Sequence, residues 1–317
     1  MARETAMTGD TPPATGGAIS RQTLGMLLGF VGVTIFGGTL PATRIAVAGL
    51  DPFFITVARA AASGLLSAAL LLILRRRVPS RRQLHTMLAC IVTIVFGFPG
   101  LMALAMQAVP AAHGGVVLGI LPLTMTAAAS LILGERPSLH FWLLAALGTI
   151  VVVLFALRDS GGELAIGDVY LFLAAISTSI GYVFSADLSR QMPGWEVISW
   201  VLALALPLTL PLTVWLWPQD PAAVPMSAWL GLGYVAVFSM FIGFFAWNAG
   251  LAMGDVSRVS QVLLLQTFVT LGIAAWINGE HVPLSTVLVA GLVVAIVAAG
   301  RNARIGVKPR KADRAPL

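Results

Sequence analysis

The chain is expected to be an all-α polytopic membrane protein, with ten transmembrane helices arranged as two inverted five-helix repeats. Three observations lead there. First, 58% of the 317 residues are hydrophobic and only 10% are charged, against about 25% charged in soluble domains; the mean hydropathy is +0.93. The apolar runs are helix-length, not the ~10-residue alternating segments of a membrane barrel. Lipid leaves only helices and closed barrels able to satisfy their backbone. Second, residues 111–154 return at 256–299 with a constant offset and no gap. Val117 pairs with Val262, Ala129 with Ala274, Gly134 with Gly279, Glu135 with Glu280 and Leu139 with Leu284. An ungapped internal repeat in a membrane chain points to a transporter made of two related halves. Third, the basic residues gather almost entirely on one side of the expected membrane, as set out below.

Taken in order, residues 1–21 are polar and rich in Thr, Pro, Gly and Ala, the composition of a disordered tail. Ala46-Val47-Ala48 has the look of a signal cleavage site, but the apolar run before it is too long and further spans follow. Spans are placed at about 22–46, 52–74, 84–107, 112–133, 139–157, 166–186, 194–216, 226–251, 256–277 and 283–300, so the first repeat covers 22–157 and the second 166–300. Residues 301–317 form a basic tail. With ten spans and a cytoplasmic N-terminus, Arg3, Arg21, Arg75, Arg76, Arg77, Arg81, Arg82, Arg136, Arg190, Arg258, Arg301, Arg304, Lys308, Arg310, Lys311 and Arg314 all fall inside. Arg158 alone lies in an outside loop, while Arg44 and Arg59 lie within spans. Such a bias places both termini in the cytoplasm. It also accounts for the net charge of +6 without invoking nucleic acid. Because each repeat has an odd number of spans, the second half is inverted, and inverted repeats build a site where they meet near the midplane.

Phe36-Gly37-Gly38-Thr39-Leu40-Pro41-Ala42-Thr43-Arg44, followed by Asp51-Pro52 and Arg59, resembles the opening helices of EamA-type members of the drug/metabolite transporter superfamily. Gly134-Glu135-Arg136 after span four and Gly279-Glu280 after span nine are similar to that family's repeat ends. Phe36 stands where many members carry Trp, and the second-half counterpart of Arg59 is Trp200. The resemblance covers about residues 22–300. It implies two five-helix EamA-like repeats around a central cavity, and export or exchange of small metabolites such as amino acids and related compounds.

The residues themselves suggest where that cavity would be. Gly37, Pro41 and Arg44 share one helical face of span one, and their counterparts in span six are Thr178, Tyr182 and Ser185. Gly115, Gly119, Pro122 and Thr126 share a face of span four, matched by Ser260, Leu264, Thr267 and Leu271 in span nine. Gln261 and Gln266 add amides there. Span eight presents Ser239, Gly243 and Trp247 along one side, with Asn248 beside them. Small residues at this spacing serve equally as helix-packing seams. Arg59 is the sharper signal. A charge in a span costs about 2.5–3.5 kcal/mol at the bilayer centre on insertion scales. Snorkelling, a partner such as Asp51, or an anionic substrate would offset it, and the guanidinium fork suits a carboxylate. The expected cavity set is therefore Gly37, Pro41, Arg44, Arg59, Pro122, Thr178, Tyr182, Trp247, Gln261, Gln266 and Thr267.

Glu135 and Glu280 read as braces of interhelix turns, Asp168 as a charge favouring a helix N-terminus, and His113 as a side chain reaching for an interface. No catalytic or metal site is expected. His85, His113, His140 and His281 lack metal-ligand spacing, and neither a nucleophile elbow nor a phosphate loop is present. Cys90 has no second cysteine to pair with. The reading is a secondary transporter of the inner (plasma) membrane, working by alternating access, without a cofactor. Its partners are a small-molecule metabolite and the lipid bilayer, and a homodimer is left open. A membrane scaffold or an intramembrane enzyme is the alternative.

Overall fold

The computed structural model describes residues 21–134, 136–159, 164–253, 260–301 and 305–306. Among the described residues, eight helices are long and apolar enough to cross a bilayer: α1 Arg21–Val47, α2 Pro52–Ile73, α3 Arg81–Ala108, α4 Ala111–Leu133, α5 Leu139–Asp159, α6 Ile166–Ser189, α7 Gly194–Trp215 and α8 Met226–Gly250. Two shorter apolar helices, α9 Val262–Ile277 and α10 Leu284–Gly300, complete the ten. Their ends lie within a few residues of those expected. The tail before Arg21, Glu135, and residues 254–259 at the start of the expected ninth span are outside the described residues. Most of the basic tail is outside them too. A two-residue antiparallel pairing, with Arg136 opposite Gly306 and Pro137 opposite Ile305, joins the α4–α5 connection to the segment after α10.

Local chemistry fixes the ends. Asp51 caps α2, its carboxylate accepting from Phe53 N and Phe54 N at 2.8 and 3.0 Å, while Pro52 follows at a position where no amide is needed. Asp51 is thus committed to its own helix. Ser80 and Gln83 cap α3 reciprocally. Gly134 and Gly279 end α4 and α9 in the left-handed conformation, at φ 71° and 66°, where a Cβ is strained. Gly134→Ala and Gly279→Ala should each lower stability by about 1–2 kcal/mol. Gly233→Ala is the control: it lies in a helix with open space around its Cβ position, and should be neutral or slightly stabilising. Thermal unfolding of the three variants in one detergent measures the difference.

The packing has the symmetry of the repeat. α1 runs along α8 as α6 runs along α3; α1 meets α9 as α6 meets α4; α2 lies on α7, and α5 on α10. Exchanging the halves maps each contact onto another, which is a pseudo-two-fold relation between inverted units. Departures from the α-helix follow the same rule. π-helical turns occupy Ile91–Gly97 in α3 and Tyr234–Ile242 in α8. 3₁₀ segments occupy Leu118–Ile120 in α4 and Ser260–Leu265 at the start of α9. Such segments concentrate at functional sites.

α1 is interrupted at Gly38. Breaking the ladder in lipid requires other partners for the backbone, and these are supplied: Tyr234 Oη donates to Ile35 O at 2.9 Å and Thr270 Oγ1 to Gly37 O at 2.9 Å. The α1–α8 crossing is closest at glycine, since a Cβ on Gly250 would lie 2.7 Å from Gly29 N and 2.8 Å from Gly25 O. That is the small-xxx-small contact of membrane helices.

Candidate functional site

Arg59 is buried on α2, 4% exposed, one turn before Ser63, whose hydroxyl donates to Arg59 O and to Ala236 O in the α8 π turn, both at 2.7 Å. The Arg59 Nε and NH1 groups have no hydrogen-bond partner. No carboxylate pairs with it among the described residues. Its electrostatic neighbour is Tyr182 of α6. Thr178, one turn earlier on α6, brings its hydroxyl beside Tyr182 but outside hydrogen-bonding geometry, so Thr178 Oγ1 is also buried and unpartnered. The Tyr182 ring meets Phe244 of α8 at 6.5 Å, and Phe244 meets Phe36 of α1 at 5.2 Å. Trp200, the repeat counterpart of Arg59, packs on the same apolar cluster as Tyr182 and Phe244, with its indole N–H unpartnered. α6 packs closely on α3 because its adjacent face is small. Ser177 Oγ donates to Thr93 O at 3.0 Å, and a Cβ on Gly181 would lie 2.4 Å from Ile94 Cγ1 in the α3 π turn.

Buried donors are ordinarily satisfied, and a buried unpaired charge is the costliest exception. Arg59, Thr178 and Trp200 present such donors from α2, α6 and α7, that is, from both repeats. Together they offer a cation and neutral donors, with no carboxylate paired to the cation among the described residues, beside the Tyr182 and Phe244 rings.

The other expected cavity residues are placed elsewhere. Gly37 lies in the α1–α9 seam, where a Cβ would sit 2.5 Å from Val269 Cγ1. Thr267 is buried in the α4–α9 seam, its hydroxyl 3.4 Å from where a Gly119 Cβ would be. The faces matched on α4 and α9 therefore meet each other. Pro41 O accepts from Asn278 Nδ2 at 3.4 Å. Arg44 NH1 donates to Met106 O, one of the carbonyls that the end of α3 leaves unpaired, so Arg44 closes a helix C-terminus. Pro122 opens the regular part of α4 after its 3₁₀ turn. Trp247 is half-buried, with its backbone 3.0 Å from the Cβ position of Gly32 in the α1–α8 seam. Ser239, beside it on α8, is tied to Thr39 Oγ1 at 2.8 Å. Gln266 is half-buried, and the Gln261 side chain lies outside the described residues.

The sequence profile of the EamA-like transporter family matches residues 23–157 and again 165–299. The chain belongs to the EamA-like transporter family. Within the drug/metabolite transporter superfamily it is similar to "Uncharacterized transporter YdeK" of Bacillus subtilis (strain 168), 44% identical over 284 residues that cover 90% of this chain and 99% of that protein. It is also 25% identical over 213 residues to "Uncharacterized inner membrane transporter YedA" of Escherichia coli (strain K12), covering 66% of this chain and 68% of that one. A solved structure described as "Crystal structure of protein" shares the fold at a TM-score of 0.59 with 21% identity, covering 89% of this chain and 99% of that chain. The chain is thus a multi-pass membrane transporter with two EamA repeats.

In this EamA-family chain the repeat-end glutamate has a definite task. The Glu280 carboxylate accepts from Ala111 N at 2.9 Å and Ala112 N at 2.8 Å, and Asn278 Nδ2 donates to it at 3.2 Å. Glu280 satisfies amides that the start of α4 leaves unpaired and sits at the positive end of that helix. The α9–α10 turn of the second repeat is thereby clasped to α4 of the first. We call this the clasped end, and the opposite end, bearing Arg75–Arg82, the arginine end. At the clasped end His113 of α4 also lies between two carboxylates, with Nδ1 2.7 Å from Asp159 Oδ2 and Nε2 2.6 Å from Asp168 Oδ1. Sequence reasoning missed this set. Asp159 is not singled out there, and only the meeting of α4, α5 and α6 reveals the set.

Proposed function

We propose that this EamA-family transporter exports small organic metabolites carrying a carboxylate, amino acids and related compounds foremost, from the cytoplasm across the inner (plasma) membrane by alternating access. The observation that carries the substrate class is Arg59: a buried guanidinium without a counter-ion among the described residues, whose electrostatic neighbour is Tyr182 of the other repeat. A carboxylate accepts two parallel N–H bonds from a guanidinium, and the hydroxyl and indole donors suit the lone pairs left on its two oxygens. The outward direction and the amino-acid class rest on the family resemblance. The cytoplasmic arginine end, with both termini on that side, rests on the distribution of Lys and Arg. The inner membrane follows from the likeness to YedA, described as an inner membrane transporter.

Rocking one repeat against the other would move α6, which carries Thr178 and Tyr182, relative to α2, which carries Arg59. The cluster would then open to each side in turn. The test is counterflow in proteoliposomes over a panel of amino acids and organic acids, each paired with its amide or ester. Exchange of carboxylates but not of the neutral analogues is the expected result. Exchange of both alike, or of cations only, would overturn the substrate class. Reporter fusions after Ala299 give the orientation independently: activity only on the cytoplasmic side is expected.

A further inference from the structure

The contacts of His113 form a second polar site, separate from the Arg59 cluster. We propose that His113, Asp159 and Asp168 bind a proton at the clasped end, and that this proton ties the two repeats together there. The binding half of the proposal stands on geometry alone, and the tying half rests on the alternating-access reading above.

Both ring nitrogens of His113 face a carboxylate oxygen, at 2.7 and 2.6 Å. A neutral imidazole has one N–H and one lone pair, so at these distances a neutral ring would press a lone pair against an anionic oxygen. An imidazolium satisfies both contacts, and two flanking carboxylates favour it. The joined triad therefore holds one proton more than a neutral histidine and two free carboxylates. The setting is closed on one side and open on the other. His113 is 3% exposed and Asp168 fully buried, with the second Asp168 oxygen accepting from Ala165 N at 3.1 Å. Asp159, by contrast, has a side chain 45% exposed. It lines a cleft of about 440 Å³ between α5 and α10, together with Phe155, Arg158, Ser285 and Thr286. Phe155 also stacks on the imidazole at 5.0 Å. A proton can thus reach His113 through Asp159 without crossing the apolar core.

The connectivity gives the site its mechanical meaning. His113 and Asp159 belong to the first repeat and Asp168 to the second. Relative motion of the repeats breaks the His113–Asp168 contact and spares the His113–Asp159 one. Other charges around His113 are committed: Arg44 of α1 to Met106 O, and Glu280 to the amides of Ala111 and Ala112. Arg158 lines the cleft beside Asp159, while α9 and α10 bring no titratable side chain within 262–277 and 284–300. Because the joined state binds the extra proton, acid on the clasped side favours closure and rising pH favours opening. One proton changes the open-to-closed ratio by at most about tenfold per pH unit.

The test uses the full-length protein in lipid nanodiscs with ¹⁵N-labelled histidine. The His113 resonances are identified as those lost in His113→Gln. At pH 7.5 both ring nitrogens should be protonated, and Asp168→Asn should remove the carboxylate contact of Nε2 and shift that nitrogen's resonance. A neutral ring at pH 7.5 would overturn the site. In parallel, Ala112→Cys in a Cys90→Ala background is labelled from the clasped side between pH 6 and 9, with Ala222→Cys in the exposed α7–α8 loop correcting for thiol reactivity. Corrected labelling should rise several-fold with pH and lose that slope in His113→Gln. An unchanged slope in His113→Gln would overturn the coupling. Asp159→Asn, at a half-exposed position, repeats both readings where His113→Gln folds poorly. The NMR reading needs no substrate, so failure of the metabolite proposal would leave it intact.

Discussion

Arg59→Lys is expected to fold and to lose substrate affinity by roughly 10- to 100-fold, the equivalent of about 1–3 kcal/mol. Lysine keeps the positive charge but presents a point donor instead of a planar fork. No described carboxylate would reward the exchange, and the Arg59 Nε and NH1 groups are unpartnered among the described residues already. Arg59→Ala should go further and abolish transport while sparing the fold, because the variant removes a buried charge that no described carboxylate balances. It should even raise thermal stability slightly. The opposite pattern, a destabilised Arg59→Ala protein and a fully active Arg59→Lys one, would make Arg59 a structural residue. Equilibrium binding and unfolding curves on the same purified variants separate these outcomes.

The second large effect is expected at Glu280. Glu280→Ala leaves the amides of Ala111 and Ala112 without their acceptor and removes an anion from the positive end of α4. Hydrogen bonds to a charged group are worth about 1.5–3 kcal/mol each. Partial access of water to these amides reduces the loss, and about 2–3 kcal/mol in total is the expected fall. Glu280→Gln, which keeps one acceptor, should recover about half. The loss should appear both as a lower unfolding midpoint and as faster labelling of residues under the clasp, since Glu280 bridges the repeats. A fall in stability without faster labelling would make Glu280 a helix cap and nothing more.

The architecture was legible in the sequence because its determinants are local. Apolar run length, the Asp51-Pro52 start, the Ser80–Gln83 pair and the glycines at 134 and 279 each set an end without reference to a neighbour. The ungapped offset between Gly134-Glu135 and Gly279-Glu280 set the repeat. The interior was only partly legible. Arg59 stood out because a charge in a span is costly wherever it points. The faces through Gly37 and Thr267 did not reveal themselves as seams, because small residues at helical spacing fit a cavity and a tight crossing equally well. The π turns in α3 and α8 left no sequence signature shared by both repeats; Pro99 follows the first, and no proline follows the second. The role of Arg44 depends on a carbonyl 62 positions away, and the His113 triad depends on three helices meeting. Periodicity along one helix carries no such information.

The proposed substrate site at Arg59, Thr178 and Tyr182 should be reached from each side in turn. Thr178→Cys in a Cys90→Ala background tests it most directly. The protein is reconstituted in one orientation, and a small membrane-impermeant thiol reagent is added to either side, with and without a transported carboxylate. Reaction from both sides is expected, at rates that differ with the conformational bias, with slowing by the carboxylate in both cases. A cysteine that stays inert from either side, or that reacts at a rate the carboxylate does not change, would contradict it.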